Sequence, residues 1–309
     1  MTPRIFVEAW DPEYGSAFDA FEMVPSAAEV DPGVEVPAER WAPIPPEPPG
    51  VAPRVAFVDG VRRVDAVVWL EEKESELRRG LCASYAAGVV AVGARAEIRE
   101  IQVRRQLFTA CADAAPLVTE AGVYAPEPVA GESLAQLLSA LQERLRSLEI
   151  EVTDLEKGFD LLVVDGPLSM HHAREGVLGY VKSHHVSYLP SELERVVGRL
   201  EPFERTPLFL TTTSYRRYSS YLRLGGERGH PFSGVARLEV SAELPLSRVR
   251  SLASLAAKTL PRYASVPHKE PRAPQNLFPI GALERELRRR LGDPAVVHRA
   301  LRAAAAAPL

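Results

Sequence analysis

The sequence has only two cysteines, Cys82 and Cys111, and no CxxC pair. A structural zinc site built on thiolates is therefore not expected. Both cysteines sit in apolar, alanine-rich surroundings, which predicts buried reduced thiols and a cytoplasmic protein. No apolar run approaches the ~20 residues that span a bilayer. The first residues carry acids and lack a basic flank with an apolar block, so no signal peptide is expected. There is no GxxxxGK[ST] loop, so any ATP-driven motion has to come from another protein. No repeat of solenoid length is visible.

Positive charge is also in short supply, with a formal net charge of −4. That looks wrong for a polyanion-binding protein until the charge is located. Residues 1–50 hold ten acids against two bases, a segment charge of −8, and the rest of the chain is +4. Residues 205–238 hold six arginines and one acid, Glu227. A polyanion partner suits this body without being demanded by it.

The acidic segment 1–50 is rich in proline and ends in Pro43–Ile44–Pro45–Pro46–Glu47–Pro48–Pro49. Proline removes the backbone donor that helices and central strands need. An irregular arm is predicted over 1–50, ahead of one domain over 51–309. Trp10, Phe18, Phe21 and Trp41 predict that the arm docks on a body or a partner.

From Val55 the pattern becomes α/β with a mixed sheet and flanking helices. Val55–Val58 reads as a buried strand closed by an Asp59-Gly60 turn, with a second strand over Arg63–Glu71. Leu81–Val92 and Glu97–Val103 read as further strands. Leu134, Leu137, Leu138, Leu141, Leu145, Leu148, Val152 and Leu155 recur at helical spacing, and Gly158 stands where a helix cap would. Leu161–Val164 is a buried strand ending in Asp165-Gly166. Leu208–Leu210 and Val235–Leu244 are predicted strands, and Pro279–Leu291 a helix.

Two strands that each deliver an aspartate before a glycine would bring Asp59 and Asp165 together. Like charges at short range repel unless cations lie between them. Hard divalent ions favour such carboxylates. Glu149, sixteen residues before Asp165 and next to the apolar stripe, supplies a third acid. Asp-Gly after a strand is also a common turn signal, and Glu149 has other acids around it. Ser214–Leu224 interleaves Tyr215, Tyr218 and Tyr221 with Arg216, Arg217 and Arg223. Tyrosines stack on unpaired bases while arginines hold phosphates, so this stretch, with Arg237, is a candidate DNA-binding surface. A surface hairpin whose tyrosines merely pack is the alternative. Adjacent histidines on a strand point to opposite faces, so neither His171-His172 nor His184-His185 is expected to chelate. The helix Glu284–Arg290 reads as an ordinary solvated face.

Several pieces resemble the NurA nucleases, in the same order. They are Val55–Gly60, Leu148-Glu149 ahead of Asp160–Leu168, Gly179–Ser183, Tyr221–Leu224, Arg237–Glu239 and Asn276–Ile280. The resemblance covers about residues 55–295 and leaves the arm unexplained. It implies a ribonuclease-H-like core, a homodimer, manganese-dependent DNA cleavage in end resection and repair, and a HerA-type hexameric translocase as partner. Asp59, Glu149 and Asp165 match the family's metal-binding acids, and Lys182 its lysine. Two ions, Mn²⁺ or Mg²⁺, are expected per site. Pro279-Ile280 matches a Pro-Leu pair that a histidine follows in the archaeal pattern. Here Glu284 takes that position as fourth metal ligand, with His268 in reserve. A catalytically silent DNA-binding or assembly subunit, and a phosphoesterase acting on RNA or nucleotides, remain the alternatives. The arm is expected to contact the dimer mate or the translocase.

Overall fold

The computed structural model describes residues 24–26, 28–48, 50–71, 77–168, 174–184, 186–213, 215–226 and 232–306. Trp10, Phe18, Phe21, His171, His172 and His185 lie outside them. The chain divides into two compact units. The first takes the described residues of Met1–Phe57, Ala91–Ala96 and Gly158–Gly281; the second takes those of Val58–Val90, Glu97–Lys157 and Ala282–Leu309. Each has a mixed sheet with flanking helices, as the sequence predicts.

In the first unit the arm adds two short strands, β1 (Val24–Pro25) and β2 (Glu29–Asp31). The strand β3 (Val55–Glu71) starts in this unit and continues into the second. Of the second unit, β4 (Leu77–Val92), β5 (Ala96–Thr109), β6 (Leu117–Thr119), β7 (Gly122–Pro128) and helix α1 (Leu134–Leu155) come next along the chain. The first unit then resumes with β8 (Leu161–Asp165), β9 (Val177–Val181), β10 (Val186–Ser187), helix α2 (Ser191–Arg199), β11 (Phe209–Thr212), β12 (Arg216–Arg223), β13 (Val235–Ser241) and helix α3 (Leu246–Thr259). Helices α4 (Phe278–Arg290) and α5 (Pro294–Ala306) end the chain.

The first unit's strand order is β2-β11-β12-β13-β9-β8. Its pairs are antiparallel except β8 with β9, which run parallel with Asp165 opposite Tyr180. Helix α3 packs on β8 and β12. The described part of the arm is integral to this unit. β2 pairs with β11, β1 pairs with β10, and Trp41 joins Leu189, Val196, Val197, Leu200, Phe209, Tyr221, Phe232 and Val235 in one core. Glu35 accepts from both terminal nitrogens of Arg205 at 2.8 Å and from the Leu208 N–H at 2.7 Å.

The second unit's order is β3-β4-β5-β7-β6, with β7 parallel to β5 and antiparallel to β6. One of its core clusters is Cys82, Leu107, Tyr124, Val297 and Leu301. Both cysteines are free and buried, and burial with Asp65 nearby pushes the Cys82 thiol up to about 12. Helix α1 keeps the predicted limits. Leu137, Leu141, Leu145, Leu148 and Val152 are buried, and Ser133 with Gln136 forms a reciprocal cap at its start. Its C-cap is Glu156 rather than Gly158, which instead takes a left-handed φ of +77° two residues on.

One larger correction concerns β3. Asp59-Gly60 is not a turn; the strand runs unbroken from Val55 to Glu71 and absorbs the predicted second strand. The glycine answers to space rather than to backbone curvature. A Cβ on Gly60 would lie 2.7 Å from Leu145 Cδ1 and would also overlap the Glu149 carboxylate. At Asp165-Gly166 the turn is real: β8 ends there and Gly166 has φ +105°.

Candidate active site

In the second unit, Glu149 lies against Gly60, the residue that follows Asp59. Asp59 is 8% exposed on β3, and its Oδ1 accepts the Gly60 N–H at 2.7 Å. Glu149 lies four residues after Leu145 and one after Leu148, both buried. Positions four apart share a helix face, so burying this stripe swings the half-buried Glu149 towards Gly60. The contact shell around the missing Gly60 side chain is made by Leu145 and Glu149. A sequence containing only Asp-Gly could not distinguish this use of glycine from a turn.

The first unit holds Asp165, Lys182 and Asn276. Asp165 ends β8, and Lys182 follows β9 two residues after the partner Tyr180. Lys182 Nζ donates to Asp165 Oδ2 at 2.5 Å and to Asn276 Oδ1 at 3.0 Å. Asp165 Oδ1 is buried without a donor among the described residues. Tyr180 is fully buried, and its hydroxyl donates to the Gln275 carbonyl at 2.7 Å. Burial first, and Asp165 second, raise its pKa well above the ordinary 10, so it stays a neutral donor.

The strands that carry the two aspartates start from one hydrogen-bonded point in the first unit. The Asp160 and Leu161 N–H groups donate to the Arg54 carbonyl at 2.9 and 3.3 Å. The Arg54 N–H returns to Asp160 Oδ2 at 2.8 Å. Asp59 follows Arg54 by five residues, and Asp165 follows Asp160 by five.

Glu284, on α4, accepts from Arg288 at 2.9 Å. The neighbouring Glu286 binds Arg289 and Arg290, whose side chains are exposed. His268 is exposed. His184 is fully buried, 5.0 Å from the Phe232 ring and 5.6 Å from the Tyr221 ring, with Nε2 3.0 Å from the Val235 carbonyl. Among the described residues no group of three or more His, Cys, Asp or Glu side chains is arranged to hold a metal ion.

Burial divides the arginine-tyrosine set. Arg216 is exposed, and Tyr215 and Tyr218 are half-buried. Arg217, Tyr221, Arg223 and Arg237 are buried. The cause is position: β12 lies between β11 and β13 rather than at an edge. Arg237 donates to Glu239 Oε1 at 2.9 Å, and Arg217 pairs with the same oxygen at 3.2 Å. Glu239 Oε2 accepts the Leu168 N–H at 2.9 Å, three residues past Asp165. Arg237 also lies over the Tyr188 ring and Arg217 over Tyr215. The sequence did carry a sign of this network. Arg237 and Glu239 are two apart on a strand and share a face.

Fold and cluster together define a mixed-sheet α/β protein with a buried Asp59 on one strand, a half-buried Asp165 at the end of another, and a lysine-carboxylate-amide group around the latter. The family model of the NurA domain matches residues 53–285, more than half of the chain. The chain belongs to the NurA family, a family of metal-dependent nucleases that process DNA ends. No curated protein matches it.

Proposed function

We propose that this chain is a Mn²⁺- or Mg²⁺-dependent deoxyribonuclease that cleaves DNA at ends and in single strands. In this reading Asp59, Glu149 and Asp165 are its metal-binding acids. The observation that carries the reading is the common start of β3 and β8. Two strands hydrogen-bonded at Arg54 and Asp160 each reach an aspartate five residues later.

The residues fit hard divalent ions. The donor set is all carboxylate, and Asp165 Oδ1 is buried without a partner among the described residues. Asp59, Glu149 and Asp165 would hold the ions, with Glu284 as a fourth acid. Its pairing with the exposed Arg288 is a helix-surface ion pair of ~0.3–0.5 kcal/mol, weak enough to yield. The ions, when bound, supply an acidified water and a counter-charge for the leaving oxygen. Lys182 tempers the charge of Asp165 and offers an ammonium to the phosphate. Tyr180 stays protonated and fixes the Gln275 backbone. Arg216, Tyr215 and Tyr218 meet DNA directly, while Arg217, Arg237, Tyr221 and Arg223 support that surface from inside. The mixed sheet with flanking helices is compatible with the ribonuclease-H-like core. A homodimer, a HerA-type hexameric translocase as partner, cytoplasmic location and a role in end resection and repair complete the proposal, on the family resemblance.

The test is incubation of the full chain with labelled single-stranded DNA, duplex DNA and RNA, with Mn²⁺ or with EDTA. DNA cleavage that EDTA stops is expected. Cleavage confined to RNA would assign a different phosphoesterase. DNA binding without cleavage in any metal would assign a silent subunit.

A further inference from the structure

Asn276 is 1% exposed and its backbone is fixed from both sides. Its N–H donates to the Arg272 carbonyl at 2.8 Å, and the preceding carbonyl accepts from Tyr180. Its side-chain oxygen accepts from Lys182 at 3.0 Å. An ammonium has donors only, so the atom facing Lys182 must be the amide oxygen, and the NH₂ occupies the other branch. That Nδ2 is buried and has no acceptor among the described residues.

A buried donor without an acceptor costs about 1–3 kcal/mol. The same cluster holds a second orphan of opposite kind, Asp165 Oδ1. A bare acceptor suits a cation and a bare donor suits an anionic oxygen. A phosphodiester arriving with its counter-cation satisfies both.

We propose that Asn276 contacts the substrate: Oδ1 holds Lys182, and Nδ2 donates to a non-bridging oxygen of the scissile phosphodiester. This rests on the nuclease reading above. Preorganised donors of this kind cost no reorganisation at the moment of reaction.

The test uses the full-length protein in single-turnover cleavage of a labelled single-stranded oligonucleotide with Mn²⁺. The substrate carries a normal phosphate, or either phosphorothioate stereoisomer, at one position. Asn276→Asp keeps an acceptor for Lys182 and removes the donor; Asn276→Ala removes both. Asn276→Asp should lose tenfold or more in kcat/KM while its melting temperature stays at the wild-type value. The rate penalty for sulfur at one stereochemical position should shrink in both variants. A rate loss with the wild-type sulfur penalty kept for both stereoisomers would mean a merely structural role and overturn the assignment. So would full activity of Asn276→Asp. If the wild-type protein cleaves no DNA, the nuclease reading fails and this contact with it; wild-type cleavage with an indifferent Asn276→Asp sinks the contact alone.

Discussion

Replacing Glu35 by glutamine tests how firmly the arm is held. The carboxylate receives two guanidinium N–H groups at 2.8 Å and the Leu208 N–H at 2.7 Å, with Arg250 3.7 Å away. Both partners are nearly sealed from water, at 8% and 3% side-chain exposure. Glutamine keeps the volume and one acceptor but leaves the Arg205 charge buried without its counter-charge. Breaking a buried pair in this way costs about 3–5 kcal/mol, against ~1 kcal/mol or less for a surface pair. Urea unfolding followed by circular dichroism and tryptophan fluorescence measures the difference. The pH dependence has a definite sign. Burial alone would raise the Glu35 pKa, but Arg205, Leu208 and Arg250 bring it below the ordinary 4.5. A depressed carboxyl stabilises the fold above its unfolded value and loses that contribution as pH falls through the folded one. The gap between wild type and Glu35→Gln should therefore be full at pH 7 and close below pH 4.5. A loss under ~1 kcal/mol at pH 7, or a gap that widens in acid, would refute the reasoning.

Other outcomes are equally checkable. Asp59→Ala should abolish cleavage while folding and DNA binding persist; cleavage by a clean preparation would remove Asp59 from the proposed site. Gly60→Ala forces a methyl against Leu145 and Glu149, and overpacking of this kind costs about 1–3 kcal/mol. A wild-type melting curve for that variant would show that α1 gives way. Arg216→Ala should weaken DNA binding and reduce the salt slope by about one, because Arg216 is exposed. Arg217→Ala should act chiefly on stability, since it strips a buried partner from Glu239. Equal melting temperatures for these two arginine variants would contradict the division by burial.

Some local signals in the sequence held and others did not. Helix α1 was legible over Leu134–Leu155 because leucines repeat at the helical period. The turn at Asp165-Gly166 was legible for a similar reason: φ +105° there is glycine's conformation. Asp59-Gly60 gives the same two letters a different cause, since its glycine clears space for a residue on another element. The contacts of Asn276 with Lys182 and of Glu239 with Leu168 were not legible, because the partners lie 94 and 71 residues away. No periodicity encodes one distant contact. The arginine-tyrosine strand looked like surface because its charge outweighs its apolar content, yet pairing on both sides takes most of it inside. The arm's prolines hid its two strands for the same reason, since β2 depends on a partner about 180 residues further along the chain.

That last pairing bears on how the protein can be cut. β11 is hydrogen-bonded to β12 on one flank and to β2 on the other. Trimming the chain back to residue 50 would bare a row of amide and carbonyl groups along Leu210–Thr212, together with the Phe209 ring that Trp41 packs against. Such an open flank is a template for foreign chains. A shortened protein that clumps would then report a lost chaperoning segment, and says nothing about which assembly the acidic segment was thought to recruit.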